Sequence, residues 1–376
     1  RGRIVLIKDM LERDRIPSPS VVRHLDRCLS CLACTTTCPS GVDYMHLIDQ
    51  ARVHVERRYR RPLADRLLRS LLALLLPRPL LFRAALLAAL PVRALGLKPG
   101  GRLGALLRLL PSRLPPPSPV DRPQIFKAEG QRRMRVALLA GCAQQVIAPR
   151  INEATIRLLQ RHGCEVVIAP GAGCCGAIVH HLGKSDQAHR HAKAAIDAWI
   201  KLIGGEGLDA IVVNASGCGT MLKDYGTLFQ HDPAYAAKAA IIAAKARDIS
   251  EVMTTLGLAA SAPSGLTVAY HSACSLQHGQ KIDRAPHALL AAAGFTVVTI
   301  PEGHLCCGSA GTYNILQPKI AEALRTRKLD NIARIQPDLV AAGNVGCMVQ
   351  LAGAGIPVLH TAQLLDWATG GPDPRG

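Results

Sequence analysis

Beyond residue 130 one local pattern recurs along the chain. Short runs of Val, Ile, Ala and Leu end in turns bearing Gly or Cys, and each is followed by a stretch with helical spacing. "RVALLAGCAQ" (135–144), followed by "INEATIRLLQRHG" (151–163), is the first example. Continuous apolar runs of this length suit strands buried on both faces, and the segments after them place apolar residues along one side of a helix. Alternating strands and helices build parallel βαβ units, so the expected fold class is α/β.

The first 60 residues read differently. In "RGRIVLIKDMLERDRIPS" a helical pattern (Ile4, Ile7, Leu11) begins with no capping residue ahead of it, so the true start is expected upstream of residue 1. A turn at Pro17 and Pro19 and a helix-like segment lead into a cysteine run, and "DYMHLIDQARVHVERRYR" is helical again. Residues 62–114 are rich in Leu and Arg. A membrane span needs about 20 successive, predominantly apolar residues. Here Arg69, Arg78, Arg83 and Arg93 interrupt every run, and Pro77, Pro79 and Pro91 are expected to break the helices. The segment reads as short amphipathic helices, with no transmembrane helix. They would pack within the chain, against a partner subunit, or on a membrane surface. "PSRLPPPSPVDRPQ" (111–124) is a stiff linker and the clearest boundary.

The pattern beyond the linker is an internal repeat. "RVALLAGCAQ" matches "TVAYHSACSLQ" (267–277), "HGCEVVIAPGAGCCGA" (162–177) matches "AAGFTVVTIPEGHLCCGSAG" (292–311), and "DAIVVNASGCG" (209–219) matches "DLVAAGNVGCM" (338–348). Cys142 precedes Cys174 by the interval that separates Cys274 from Cys306, and each half adds one more cysteine, Cys218 or Cys347. Ligands of open parallel sheets gather outside the carboxyl ends of the strands, so each half should collect Cys, Cys-Cys and Cys at one rim. The chain divides into a helical region (1–61), a Leu/Arg segment with its linker (62–124), and two repeats (133–262 and 265–371). Each domain is expected to have its own core.

Composition narrows the chemistry. The net charge is +18, but aromatics are only 3% of the residues and no helix-turn-helix or RNA-binding signature is present, which argues against nucleic acid. The charge suits a solvated surface, an acidic partner or an anionic membrane. Thirteen cysteines, paired as C-x-x-C and Cys-Cys in a long chain without a signal peptide, point to thiolate metal ligation in a reducing, cytoplasmic compartment.

"RCLSCLACTTTCPSG" (27–41) carries Cys28, Cys31, Cys34 and Cys38 as C-x2-C-x2-C-x3-C-P. This is the spacing that wraps a [4Fe–4S] cluster in two-cluster ferredoxins, the fourth cysteine reaching the other cluster. A structural zinc knuckle needs only C-x-x-C pairs and no following proline. No second such run exists in the chain, so Cys38 lacks its partner run.

In the repeats Cys142, Cys174, Cys175 and Cys218, and Cys274, Cys306, Cys307 and Cys347, are candidate ligands of a further cluster, a metal or a redox site. Gly176 and Gly308 would allow close backbone approach beside each pair. Cys164, matched by Phe295, reads as a core residue. His180, His181, His271, His278 and His304 lie near the turns, and most such histidines bond or face solvent; His271 and His278, flanking Cys274, are the best placed. No flavin, nicotinamide or phosphate-loop fingerprint appears.

A ferredoxin-type region followed by two Cys-Cys-Gly domains resembles the iron–sulfur subunits of glycolate oxidase, anaerobic glycerol-3-phosphate dehydrogenase, L-lactate utilisation enzymes and heterodisulfide reductase. "RGRIVLIKDMLE", "HLDRCLSCLACTTTCPSGVDY", "GCAQ", "AGCCGA", "ASGCGTMLKDYG" and "HLCCGSAGTYNILQP" are most similar to the glycolate oxidase subunit family.

The resemblance implies a first cluster run upstream of residue 1, hence two [4Fe–4S] clusters in the full-length protein. Cys28, Cys31 and Cys34 would hold one and Cys38 would serve the other. It implies flavin-containing partner subunits that oxidise glycolate to glyoxylate, and a quinone-type electron acceptor. The chain would be an electron-transfer subunit, not a complete catalyst, cytoplasmic or peripheral on the inner membrane. A sibling complex for lactate, glycerol 3-phosphate or heterodisulfide, or an iron–sulfur redox sensor, are the alternatives. One departure stands out: heterodisulfide reductase-type domains close with C-x-x-C, whereas Ala215 and Asn344 here leave Cys218 and Cys347 single.

Overall fold

A computed structural model of the chain describes residues 2–96, 99–258, 265–353 and 355–375; the boundary expected at 262 lies outside them. The first sheet contains β1 (Gln124–Phe126), β2 (Met134–Leu138), β3 (Cys164–Ile168), β4 (Ala210–Val213) and β5 (Ala246–Asp248), in the order β1-β3-β2-β4-β5. The second contains β6 (Thr267–His271), β7 (Thr296–Thr299), β8 (Leu339–Ala342) and β9 (Val358–His360), in the order β7-β6-β8-β9. Every pairing is parallel except β1 on β3. Without β1 the two orders are the same, so the sequence repeat is a repeat of topology. In each, the strand order reverses between the first and third strands of the unit. Open parallel sheets leave a crevice there, at the carboxyl ends.

Alternation along the strands divides the interior. Val136 and Leu138 face one core while Ala137 and Leu139 face another. In the second repeat Val268 and Tyr270 join that first core, and Ala269 faces a third. Each repeat has a core of its own, and a further core lies between them. Helices 150–161 and 249–256 of the first repeat pack on helices 284–292 and 361–368 of the second, so one large core is common to both. Either repeat alone would leave these helices' outer apolar residues in water. Asp366, buried in the second repeat, accepts from Arg157 at 2.6 Å and Arg161 at 3.2 Å, both from the first repeat.

Helices Gly2–Glu12, Pro19–Asp26 and Tyr44–Arg58 pack around Ile7, Leu25, Ile48 and Val55. Ser18 caps the second of these, accepting from the Val21 N–H, with Pro19 at its first position. The Leu/Arg segment forms helices Leu63–Leu75, Pro79–Ala94 and Gly101–Leu109. Pro91 was expected to break a helix; instead it lies inside helix Pro79–Ala94, which ends three residues later, and forgoes one bond to the Leu87 carbonyl. Arg69 is buried against Asp65 (3.1 Å) and Asp26 (3.2 Å), so a charge that interrupts the apolar pattern ties this segment to the amino-terminal helices. Among the described residues no helix is long and apolar enough to cross a membrane.

Candidate functional site

Apart from Cys38, the cysteines are free thiols. In the first repeat Cys142 follows β2 and Cys218 follows β4, on the two sides of the crevice, and Cys174 and Cys175 come from the turn after β3. The second repeat places Cys274, Cys347 and the pair Cys306–Cys307 in the same way. The Sγ atoms of Cys274 and Cys306 are 3.8 Å apart. Backbone N–H groups also reach the pairs, from Gly176 to Cys174 Sγ at 3.3 Å and from Gly308 to Cys306 Sγ at 3.4 Å.

These donors decide which sulfur carries charge most readily. Bonds from Cys142 and then Cys175 hold the Cys174 thiol well below the ordinary range, and Cys274 and then Cys307 do the same for Cys306. Cys347 is held down to about 6, first by Cys307. The donating thiols of Cys142 and Cys274 are pushed up by the same bonds and by burial.

The glycine after each pair is required. Gly176 and Gly308 have φ of +88° and +92°. A Cβ on Gly176 would stand 2.9 Å from the Ala188 carbonyl oxygen, and one on Gly308 only 2.5 Å from that of Ala321. Without side chains there, helices 185–204 and 318–335 lie directly against the cysteine turns. Where a closing C-x-x-C would put another sulfur, Asn344 instead points its Nδ2 at Cys347 Sγ, 3.7 Å away.

The run at 28–38 forms a loop and one helical turn, Ala33–Thr36. Ser30 and Leu32, on either side of Cys31, have φ of +52° and +61°. Left-handed backbone at non-glycine residues costs roughly 1–2 kcal/mol each and curls the loop around Cys31; Cys28 is buried, Cys31 and Cys38 are half-buried, and Cys34 is exposed. The pattern gave no sign of this, because neither residue is glycine. Arg52 holds the curl, donating to Ser30 Oγ at 2.5 Å and to the Cys28 carbonyl at 2.9 Å. The Tyr44 hydroxyl points at Cys28 Sγ, 3.7 Å away.

Charge on Cys28, Cys31 and Cys34 is mutually repulsive, and burial first of all pushes the Cys31 thiol up. Close, free, mutually repelling thiols on one curled loop fit a cationic iron cluster that would take them as thiolates. Cys38 lies close enough to Cys34 to raise it as well.

The structure joins the three cysteine groups. Leu29 and Cys31 pack on the core of the second repeat. A cavity of about 350 Å³ is lined by Cys28 and by every repeat cysteine except Cys174. Leu76, Phe82, Leu86 and Leu106 from the Leu/Arg segment close it on another side. Cys164, by contrast, is wholly buried in β3 as a core residue.

The histidines mostly hold this assembly together. His278 Nδ1 is 2.8 Å from Thr36 Oγ1, His180 Nε2 is 3.2 Å from Asp49, and burial pushes His181 down to about 4. His271 differs: a ring nitrogen lies within 4.8 Å of both Cys307 and Cys347 Sγ. His304 lines a separate polar cavity.

His46 bridges helix 44–58 to the first repeat and is held up at about 9, foremost by its 2.8 Å bond to Asp224. Its folded value exceeds the unfolded one of about 6.5. The stabilisation is therefore complete below that pH and is lost as pH rises through about 9. After solvent screening it is worth roughly 1 kcal/mol. Urea midpoints at pH 6 and pH 9.5 should fall further for the native chain than for His46→Gln; equal slopes would remove His46 from this role.

Residues 136–223 and 268–352 each match the cysteine-rich (CCG) domain family. The chain is 38% identical to the glycolate oxidase iron-sulfur subunit of Escherichia coli over 370 residues, 98% of this chain and 87% of that protein. It belongs to the glycolate oxidase iron–sulfur subunit family. The probable glycolate oxidase iron-sulfur subunit of Bacillus subtilis is 31% identical, across 98% of this chain and 88% of that protein. Lactate utilization protein A of an Exiguobacterium species is 29% identical across 61% of this chain and 96% of its own length. In this family member each CCG match spans three parallel strands of one sheet, β2 to β4 in the first and β6 to β8 in the second.

Proposed function

We propose that the chain is the electron-transfer subunit of a glycolate-oxidising complex, working with flavin-containing subunits that turn glycolate into glyoxylate and with a quinone-type acceptor. One observation carries the reading: Cys28 of the 28–38 loop and cysteines of both repeats line a single cavity. A sensor that only gains or loses a cluster has no need for three sulfur groups to converge.

Cys28, Cys31 and Cys34 would hold one [4Fe–4S] cluster and Cys38 would serve a second. A cluster so held supplies one-electron transfer. The chain's own residues set its surroundings: Arg52 fixes the loop, Tyr44 offers a hydroxyl to Cys28, and packing of Leu29 and Cys31 on the second repeat keeps water from that side.

The test uses the anaerobically prepared chain mixed with the flavin-bearing subunits. Glycolate should bleach its visible iron–sulfur absorption, while L-lactate and glycerol 3-phosphate should not. Bleaching by L-lactate would move the chain to the sibling complex, and no bleaching by any donor would favour a sensor.

We place the protein in the cytoplasm, on the inner face of the membrane. Leu63, Leu67, Leu71 and Leu74 make an exposed stripe along helix 63–75, and Arg66 and Arg78 are exposed beside it. Leucine beside arginine suits an anionic bilayer surface. Vesicles containing phosphatidylglycerol should sediment with the chain, and those of phosphatidylcholine alone far less. If Leu67→Glu leaves that binding intact, the stripe is a protein interface or plain surface.

A further inference from the structure

The two repeats share their sulfurs but differ in what faces them. His271, the last residue of β6, is 1% exposed, with a ring nitrogen within 4.8 Å of the sulfurs of Cys307 and Cys347. Neither ring nitrogen finds an oxygen or nitrogen partner among the described residues, and the one polar group the ring engages is the Cys347 sulfur. A buried imidazole whose sole polar neighbours are sulfurs is costly unless they bind it or a shared ion, so those sulfurs are informative. In the aligned first repeat the residue is Leu139, immediately after β2, and it packs into the apolar core.

A second difference lies on the other side of the sulfurs. Lys328 in helix 318–335 is 1% exposed, donates to the Glu302 carbonyl at 3.0 Å, and feels the charges of Cys307, Cys306 and Cys347. The equivalent residue, counted from the alanine carbonyls that face Gly176 and Gly308, is the buried Ala195. The second repeat thus carries a buried imidazole that faces only sulfur and a buried ammonium where the first has two hydrocarbon side chains.

We propose that the second repeat binds a thiophilic transition metal through the His271 imidazole and the thiolates of Cys307 and Cys347, a site the first repeat cannot make because Leu139 replaces the histidine. Two thiolates and an imidazole suit zinc or iron, with metal–sulfur and metal–nitrogen bonds of about 2.3 and 2.0–2.1 Å. Donors at such lengths stand roughly 3.5–4 Å apart in a tetrahedral site, within the observed spread. Binding takes both sulfurs as thiolates, so it releases the Cys307 proton and whatever proton remains on Cys347 to solvent, and involves no electron transfer. Lys328 offsets part of the thiolate charge. Cys274 and Cys306 lie alongside, available to further metal. A cavity of about 450 Å³ lined by His271, and also touched by Lys328, His304 and Asp283, offers an ion a way in.

This inference rests on reading the repeats as metal-binding, and the experiment separates the two. The full chain, prepared anaerobically, is assayed for zinc and iron per chain and by X-ray absorption at both edges. The edge that shows nitrogen beside sulfur names the metal. His271→Leu, which copies the first repeat, should remove the nitrogen scatterer and weaken retention against a chelator by roughly tenfold or more. His271→Cys should restore retention with sulfur alone, which a merely structural histidine would not do. If Cys347→Ser loses metal while His271→Leu keeps it together with the nitrogen signal, the histidine assignment is overturned and the metal reading survives. If neither variant changes metal content, the second repeat is no metal site and both ideas fail.

Discussion

Gly308→Ala should lower the stability of the chain by roughly 3 kcal/mol or more, read from the urea midpoint. Two effects add. The residue sits at φ +92°, where a side chain costs about 1–2 kcal/mol. The new methyl would also meet the Ala321 carbonyl oxygen at 2.5 Å, with the carbonyl carbon and Cα at 3.1 Å. Those are backbone atoms of a long helix and cannot swing aside, so overpacking adds about 1–3 kcal/mol. Gly176→Ala should cost less, because its nearest contact is 2.9 Å. A loss under about 1 kcal/mol for Gly308→Ala would mean that helix 318–335 does not lie against the cysteine turn as described. Because Gly308 directly follows Cys307, displacing this turn should also weaken metal retention at the site proposed for the second repeat.

Cys31→Ser should remove about four irons per chain and the visible absorption that goes with them. Cys31 sits between two left-handed residues at the centre of the loop and packs on the second repeat. A serine hydroxyl is a far poorer ligand for iron than a thiolate. Glycolate-driven reduction of the chain should then fall by about 100-fold or more, equivalent to some 2.7 kcal/mol. Cys164→Ser is the comparison: that sulfur is wholly buried in β3 with no cysteine group near it, so iron should be unchanged while stability drops modestly. Full iron content in Cys31→Ser would place the metal in the repeats and leave the loop without a cluster.

Much of the fold and of the site is legible in the residues alone. The spacing of Cys28, Cys31, Cys34 and Cys38, the repeat, and the Cys-Cys-Gly turns are local in sequence, and their chemistry depends on neighbours a few residues away. The parallel sheets follow from strand–helix alternation, and the sulfurs' place at the carboxyl rim follows from the topology of such sheets. The edge strand at 124–126 is not legible in this way, since three residues after a proline-rich stretch carry no periodicity.

What local pattern does not say concerns pairs of residues far apart in the chain. That helices 150–161 and 361–368 share a core depends on two apolar faces being complementary, which neither face states alone. That Ser30 and Leu32 take left-handed backbone is imposed by Arg52 and by docking on the second repeat, against their own preference. In the sequence His271 is one of five loop histidines. Flanking Cys274 sets it and His278 apart in the sequence, and its place at the end of β6, facing Cys307 and Cys347 up to 76 residues away, separates it from His278. Which atoms can bind metal is written in the chain itself, because ligand type and local spacing are chemical facts of neighbouring residues. Which of those atoms meet is settled by folding, because burial and close packing bring together residues whose separation in sequence carries no such information.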